Sequence, residues 1–242
     1  MICLGTIVNV VLIIIGGLIG LALKKVLSEK ITETVMQGVG LAVVIIGLSG
    51  TLSASFVIAN GSISSEYILL MIISLALGGL IGELVGIERR LDAFAKLCEN
   101  KFTKPNSTST FAQGFVTAVL VFCVGSMAIL GSLEDGINKN RDILFAKSTL
   151  DGITSMIFAS TMGMGVLFSA IVVGIYQGSI TLLAIFIEPY LNEVVIKQMS
   201  LIGSVLIMAI GFNLLKIAKI KVGNLLPAIF IPIFYYIVRM IL

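Results

Sequence analysis

Long apolar runs separated by short polar interruptions fill the chain, and the runs are longer than a water-soluble core requires. About 20 apolar residues, at 1.5 Å rise each, cross the hydrocarbon of a bilayer. Runs of that length predict spans over Gly5–Leu23, Gly38–Ala59, Tyr67–Val85, Phe111–Gly131, Met199–Leu215 and Leu225–Ile241. Between these lies Ile143–Ile187, too long for one crossing. Gly163-Met164-Gly165 offers a break and hinge there, dividing it into Ile143–Met162 and Val166–Ile187. None of the runs alternates apolar with polar residues as a membrane strand does, so the spans are helical. The expected fold is all-α, a polytopic transmembrane helix bundle of about eight spans with residues 1–242 as a single membrane domain.

Basic residues orient the spans. Lys24, Lys25 and Lys30 follow the first span, and Arg89, Arg90, Lys96, Lys101 and Lys104 follow the third. The positive-inside rule places both loops in the cytoplasm. Lys216, Lys219 and Lys221 reach the same side only if Ile143–Ile187 crosses twice. Both termini are then outside.

An internal repeat is visible. Gly16-Gly17-Leu18-Ile19-Gly20 recurs letter for letter as Gly78-Gly79-Leu80-Ile81-Gly82. Each copy ends a span, and each is followed by a charged segment and then by Gln-Gly (Gln37-Gly38, Gln113-Gly114) opening the next. The repeat units run from about 5 to 59 and from about 67 to 131, and the remaining spans occupy 143–242. The charged segments Lys24–Met36 and Glu88–Phe102 carry apolar residues at helical spacing and fit interfacial amphipathic helices. Asn100–Thr110, with Pro105 among Ser, Thr and Asn, reads as a loop.

Composition narrows the chemistry. The chain has 58% hydrophobic and 12% charged residues and no histidine, which excludes histidine-ligated metals and Ser/His dyads. Gly47-Leu48-Ser49-Gly50 matches the GxSG of rhomboid proteases, but that serine needs a histidine base. Cys3, Cys98 and Cys123 lack CxxC spacing and read as small apolar residues. A net charge of +3 spread over loops gives nucleic-acid binding no support. No cofactor, metal or catalytic set is expected, and so no enzymatic activity. No basic residue precedes the first apolar run, so a retained first span is expected rather than a signal peptide.

Polar residues inside spans are the candidate sites. Lys147, Ser148, Asp151, Thr154 and Ser155 form a stripe at helical spacing. An ionisable group within a membrane costs at least about 2.5–3.5 kcal/mol, and it persists facing water, another helix or a ligand. The competing reading puts Lys147 at the external interface, where it merely neutralises Asp151. Glu83 is a second membrane carboxylate, with Arg89 or Arg90 as its expected partner. Gln177, Asn213 and Asn224 are further candidate contacts among the span amides, which also include Asn9. Gly16, Gly20, Gly78, Gly82 and Gly86 make smooth stripes for helix packing, within the chain or between copies. Their duplication predicts a homo-oligomer, most simply a dimer. Pro227 and Pro232 should bend or break the last span.

Several runs resemble the YqgA/YdfK-like bacterial integral membrane proteins, the domain of unknown function 554 family. These are Lys147-Ser148-Thr149-Leu150-Asp151-Gly152, Phe158-Ala159-Ser160-Thr161-Met162-Gly163, Tyr176-Gln177-Gly178, Phe122-Cys123-Val124-Gly125, Gly131-Ser132-Leu133 and Gly223-Asn224-Leu225-Leu226-Pro227. The resemblance extends over almost the whole chain. It implies a multi-pass protein of the bacterial inner membrane and no particular substrate. Together the features lead to the expectation of a small transporter or channel-like permease for a polar or ionic solute. Coupling to protons or cations would run through the Lys147/Asp151 face. The alternative is a non-transporting membrane partner or sensor that uses the interfacial helices and the cytoplasmic loop.

Overall fold

The computed structural model describes residues 3–24, 29–59, 62–90, 93, 111–123, 126–187 and 192–241. The helices are α1 (Leu4–Lys24), α2 (Glu29–Ser55), α3 (Ile68–Val85), α4 (Phe111–Cys123), α5 (Ser126–Ile137) and α6 (Asp142–Met162). They continue with α7 (Gly165–Leu182), α8 (Ala184–Ile187), α9 (Glu193–Leu214), α10 (Val222–Leu225) and α11 (Ile231–Ile241), with a 3-10 turn over Leu226–Phe230 before α11. Strands β1 (Phe56–Ala59) and β2 (Ser62–Ser65) pair antiparallel, Phe56 opposite Ser65.

The distribution of side chains is that of a protein in lipid. The buried stripe of α1 is Gly5, Thr6, Asn9, Ile13, Gly16, Gly17 and Gly20, whereas Ile7, Val11, Ile15 and Leu18 are exposed. In α3 the buried residues are Ser74, Gly78 and Gly82, while Leu84 is 80% exposed. Without a hydrophobic drive between helices, small residues mediate contact and large apolar ones face the acyl chains. Among the described residues, six helices are long and apolar enough to cross a membrane, or seven when α4 and α5 count as one broken span.

The chain divides into two compact units, Met1–Val39 with Arg89–Ile187 and Gly40–Glu88 with Glu188–Leu242. Each sequence repeat is divided between the units: α1 lies in the first and most of α2 in the second, α3 in the second and α4 and α5 in the first. In the first, α6 runs parallel to α1 along its whole length. Gly5 lies against Leu144, Gly16 against Gly152 and Gly20 against Met156, and Lys24 Nζ donates to the Thr161 carbonyl at 3.1 Å. Helix α7 returns antiparallel, with Gly17 against Leu167 and Val10 against Gly174. Ile143–Ile187 therefore forms two antiparallel helices, the 21-residue α6 and α7, the arrangement that the basic loops call for. Gly163, at φ 82, makes the turn between the two helices. A Cβ on Gly165 would strike the Phe111 carbonyl.

In the second unit Gly40, Gly47 and Gly50 of α2 meet Leu214, Met208 and Ser204 of α9. The GxSG motif is thus a helix contact. Gly78 and Gly82 press on Ala228 and the Asn224 carbonyl. The prolines act as expected: the last span begins as a single α-turn and a 3-10 turn before α11.

Three expectations need correction. Helix α2 is continuous from Glu29, so its amphipathic start is no separate interfacial helix; Gly38 stands in open space and breaks nothing. Its last apolar residues, Phe56–Ala59, form β1, where β-branched Val57 and Ile58 suit a pleated strand. Gly86 packs nothing. It caps α3 at φ 70, and its N–H bonds to the carbonyls of Gly82 and Glu83. The glycines of both Gly-Gly-Leu-Ile-Gly copies are covered inside their own units. Glu88–Phe102 (beyond Glu88, Arg89, Arg90 and Ala93) and the Asn100–Thr110 loop lie outside the described residues.

Candidate functional site

The parallel pairing of α1 and α6, with α7 alongside, assembles a charged cluster inside the first unit. Lys147 and Asp151, one turn apart on α6, form an ion pair through Lys147 Nζ and Asp151 Oδ2. Their side chains are only 6% and 9% exposed. Both are thus enclosed by protein. Asn9 of α1 donates from Nδ2 to Asp151 Oδ2 at 3.0 Å and to Gln177 Oε1 of α7 at 3.1 Å. The lysine ammonium also lies 5.9 Å from the centroid of the Phe122 ring.

The rest of the stripe divides by role. Ser148 Oγ donates to the Leu144 carbonyl at 2.6 Å within its own helix. Ser155 Oγ donates to the Ile13 carbonyl at 2.8 Å and so ties α6 to α1. Thr154 stands half-buried at the edge of the stripe. Asn9, grouped in the sequence only with the span amides, proves to be the hub. The signal available was its position on the same α1 face as Gly16 and Gly20, seven and eleven residues on.

A second buried carboxylate escaped the sequence reading. Gly131–Asp142 is polar in the sequence, yet α5 runs to Ile137 and carries Asp135 fully buried. Asp135 accepts from Arg141 Nε at 2.9 Å and from the Gly5 N–H at 3.3 Å, at the start of α1. A carboxylate there also complements the helix dipole.

The remaining predicted residues belong to other tasks. Asn213 closes the loop after α9: Nδ2 donates to the Ile220 carbonyl and Oδ1 accepts from the Ile220 N–H, both at 2.8 Å. It clamps the backbone of that loop. Glu83 pairs with Lys221 at 3.0 Å rather than with Arg89 or Arg90, and both side chains are more than half exposed. Asn224 Nδ2 donates to Glu83 Oε2 at 2.6 Å, while Asn224 Oδ1 accepts from the Glu88 N–H at 2.7 Å. The Gly223 N–H donates to Glu88 Oε2 at 2.7 Å. Glu83 and Asn224 thus fasten the broken last span to the end of α3. A cavity of about 370 Å³ in the second unit is lined by Asn192, Gln198, Tyr235 and Arg239 among others, and takes in none of the predicted site residues.

Small residues buried beneath a lipid-facing shell, with the Lys147–Asp151 and Asp135–Arg141 pairs among them, define a polytopic helical membrane protein with a polar interior. Residues 4–237 match the family model described as "Protein of unknown function (DUF554)", and the chain belongs to that family. It is 40% identical over 228 residues to the "Uncharacterized membrane protein YdfK" of Bacillus subtilis (strain 168), covering 94% of this chain and 93% of the relative. It is 28% identical over 229 residues to the "Uncharacterized protein YqgA" of Escherichia coli (strain K12), covering 93% of each. No solved structure matches the chain.

Proposed function

We propose that this chain is a small transporter or permease of the bacterial inner membrane that moves a small polar or ionic solute. The observation that carries the reading is the buried Lys147–Asp151 pair, held by Asn9 and adjoining Gln177 at the meeting of α1, α6 and α7. Helix packing alone needs no such pair, since apolar side chains fill the same space without the desolvation cost of two charges. Charges inside spans belong chiefly to solute and ion pathways. Asp151 and Lys147 are the groups through which proton or cation coupling would act, because one can be released from the other only when a new partner takes its place. The reading assigns no chemical reaction to the chain.

Reconstitution tests it. Proteoliposomes should pass a solute faster than empty vesicles, and Asp151→Asn should abolish that flux while the variant still elutes as folded protein. Equal flux in wild type and Asp151→Asn would remove the site from the pathway.

A further inference from the structure

Beside the ion pair, four buried polar atoms of the first unit have no hydrogen-bond partner among the described residues: Thr6 Oγ1, Asn9 Oδ1, Gln177 Nε2 and Thr181 Oγ1. Their residues are 4%, 0%, 0% and 3% exposed. Asn9 and Gln177 touch across the α1–α7 contact. Thr6 precedes Asn9 by three residues, and Thr181 follows Gln177 by four on the antiparallel helix. Both threonines therefore lie one turn further toward the same end of the unit, on the same two faces.

The hydrogen bonds already made decide what each group has left. Both Nδ2 protons of Asn9 go to Asp151 and Gln177, so Asn9 offers a carbonyl acceptor. Gln177 accepts through Oε1 and retains an NH₂ donor. The two hydroxyls serve as either. Buried polar groups without partners are rare in folded proteins, because each forfeits its hydration without return. Four of them on facing helices call for a polar molecule that completes the set.

The neighbouring charges narrow its class. Lys147 and Asp151 cancel one another. A bare cation beside them meets an ammonium, a bare anion meets a carboxylate, and neither finds a net countercharge in a low-dielectric interior. A molecule with no net charge and its own donor and acceptor meets neither penalty.

We propose that Thr6, Asn9, Gln177 and Thr181 form the binding site for a small neutral or zwitterionic solute with at least one hydrogen-bond donor and one acceptor. Its use in transport rests on the reading above; the site itself does not.

The test is equilibrium binding of radiolabelled glycine, glycerol, rubidium ion and chloride ion to the purified full chain in lipid nanodiscs. Wild type should bind glycine or glycerol saturably and bind neither ion. Thr6→Val/Thr181→Val removes both hydroxyls at nearly constant volume and should weaken that binding by about tenfold or more. Binding of rubidium or chloride in preference to both neutral probes, or no binding of either neutral probe, overturns the proposal. So does unchanged affinity in the double variant. Flux of the bound probe through proteoliposomes separates the two claims. Saturable binding without flux removes the transport reading and leaves the site standing. Flux that Asp151→Asn abolishes and the threonine variant leaves unchanged does the reverse.

Discussion

One amide nitrogen, Nδ2 of Asn9, donates to Asp151 at 3.0 Å and to Gln177 at 3.1 Å, so α1 joins the carboxylate of α6 to the amide of α7. Through it Gln177 is tied to the Lys147–Asp151 pair.

The ion pair should behave as a unit. Removing one buried partner leaves an uncompensated charge and costs about 3–5 kcal/mol. Lys147→Met and Asp151→Leu should each destabilise by that order, and the double variant by less than the sum. Unfolding in mixed micelles, read as a double-mutant cycle, checks this. Additive losses would show that the two charges are not coupled.

Glycine positions that look alike in the sequence should respond differently. Ala at Gly16 or Gly82 meets the Gly152 or Asn224 carbonyl and should lower thermal stability markedly. Ala at Gly38 meets open space within a helix, and should be neutral or stabilising by up to about 1 kcal/mol. Gly86→Ala is uncrowded but sits at φ 70, and should cost about 1 kcal/mol from backbone strain alone. Melting of the detergent-solubilised variants ranks them.

Asn213→Ala should lose the two loop bonds to Ile220 and destabilise by about 1–3 kcal/mol, without changing binding or flux of any solute. A solute-specific defect in a protein of unchanged stability would restore Asn213 to the site.

Glu83→Gln should cost less than about 1 kcal/mol in ion-pair energy, since its bridge to Lys221 is solvent-exposed. High salt should shrink the difference from wild type by screening. A loss that persists in high salt points instead to the Asn224 hydrogen bond.

Orientation is checked by single cysteines in a background where Cys3, Cys98 and Cys123 are serine. Met164→Cys, in the turn between α6 and α7, should react with an impermeant maleimide only from the cytoplasmic side. Asn138→Cys, after α5, should react only from outside. Labelling of both from one face would contradict the double crossing of Ile143–Ile187.

Chain chemistry alone determined the membrane class, the course of most apolar helices and the division of Ile143–Ile187 into two helices. Span length and loop charge are local properties set by bilayer thickness and the cost of moving charge across it. It also marked Lys147, Asp151 and Gln177, because polar residues stand out against apolar runs. Three things needed the tertiary structure. Asn9 became the hub and Asn213 a loop clamp although both are amides at spans, since an amide's role follows from what faces it. Asp135 entered the interior because α5 continues past Gly131 and Arg141 and the α1 terminus meet it there. The repeated Gly-Gly-Leu-Ile-Gly stripes announced close contact without naming the partner. A smooth helix face fits any backbone of matching curvature, and only the folded chain puts Gly152 and Met156 against one copy and Asn224 and Ala228 against the other.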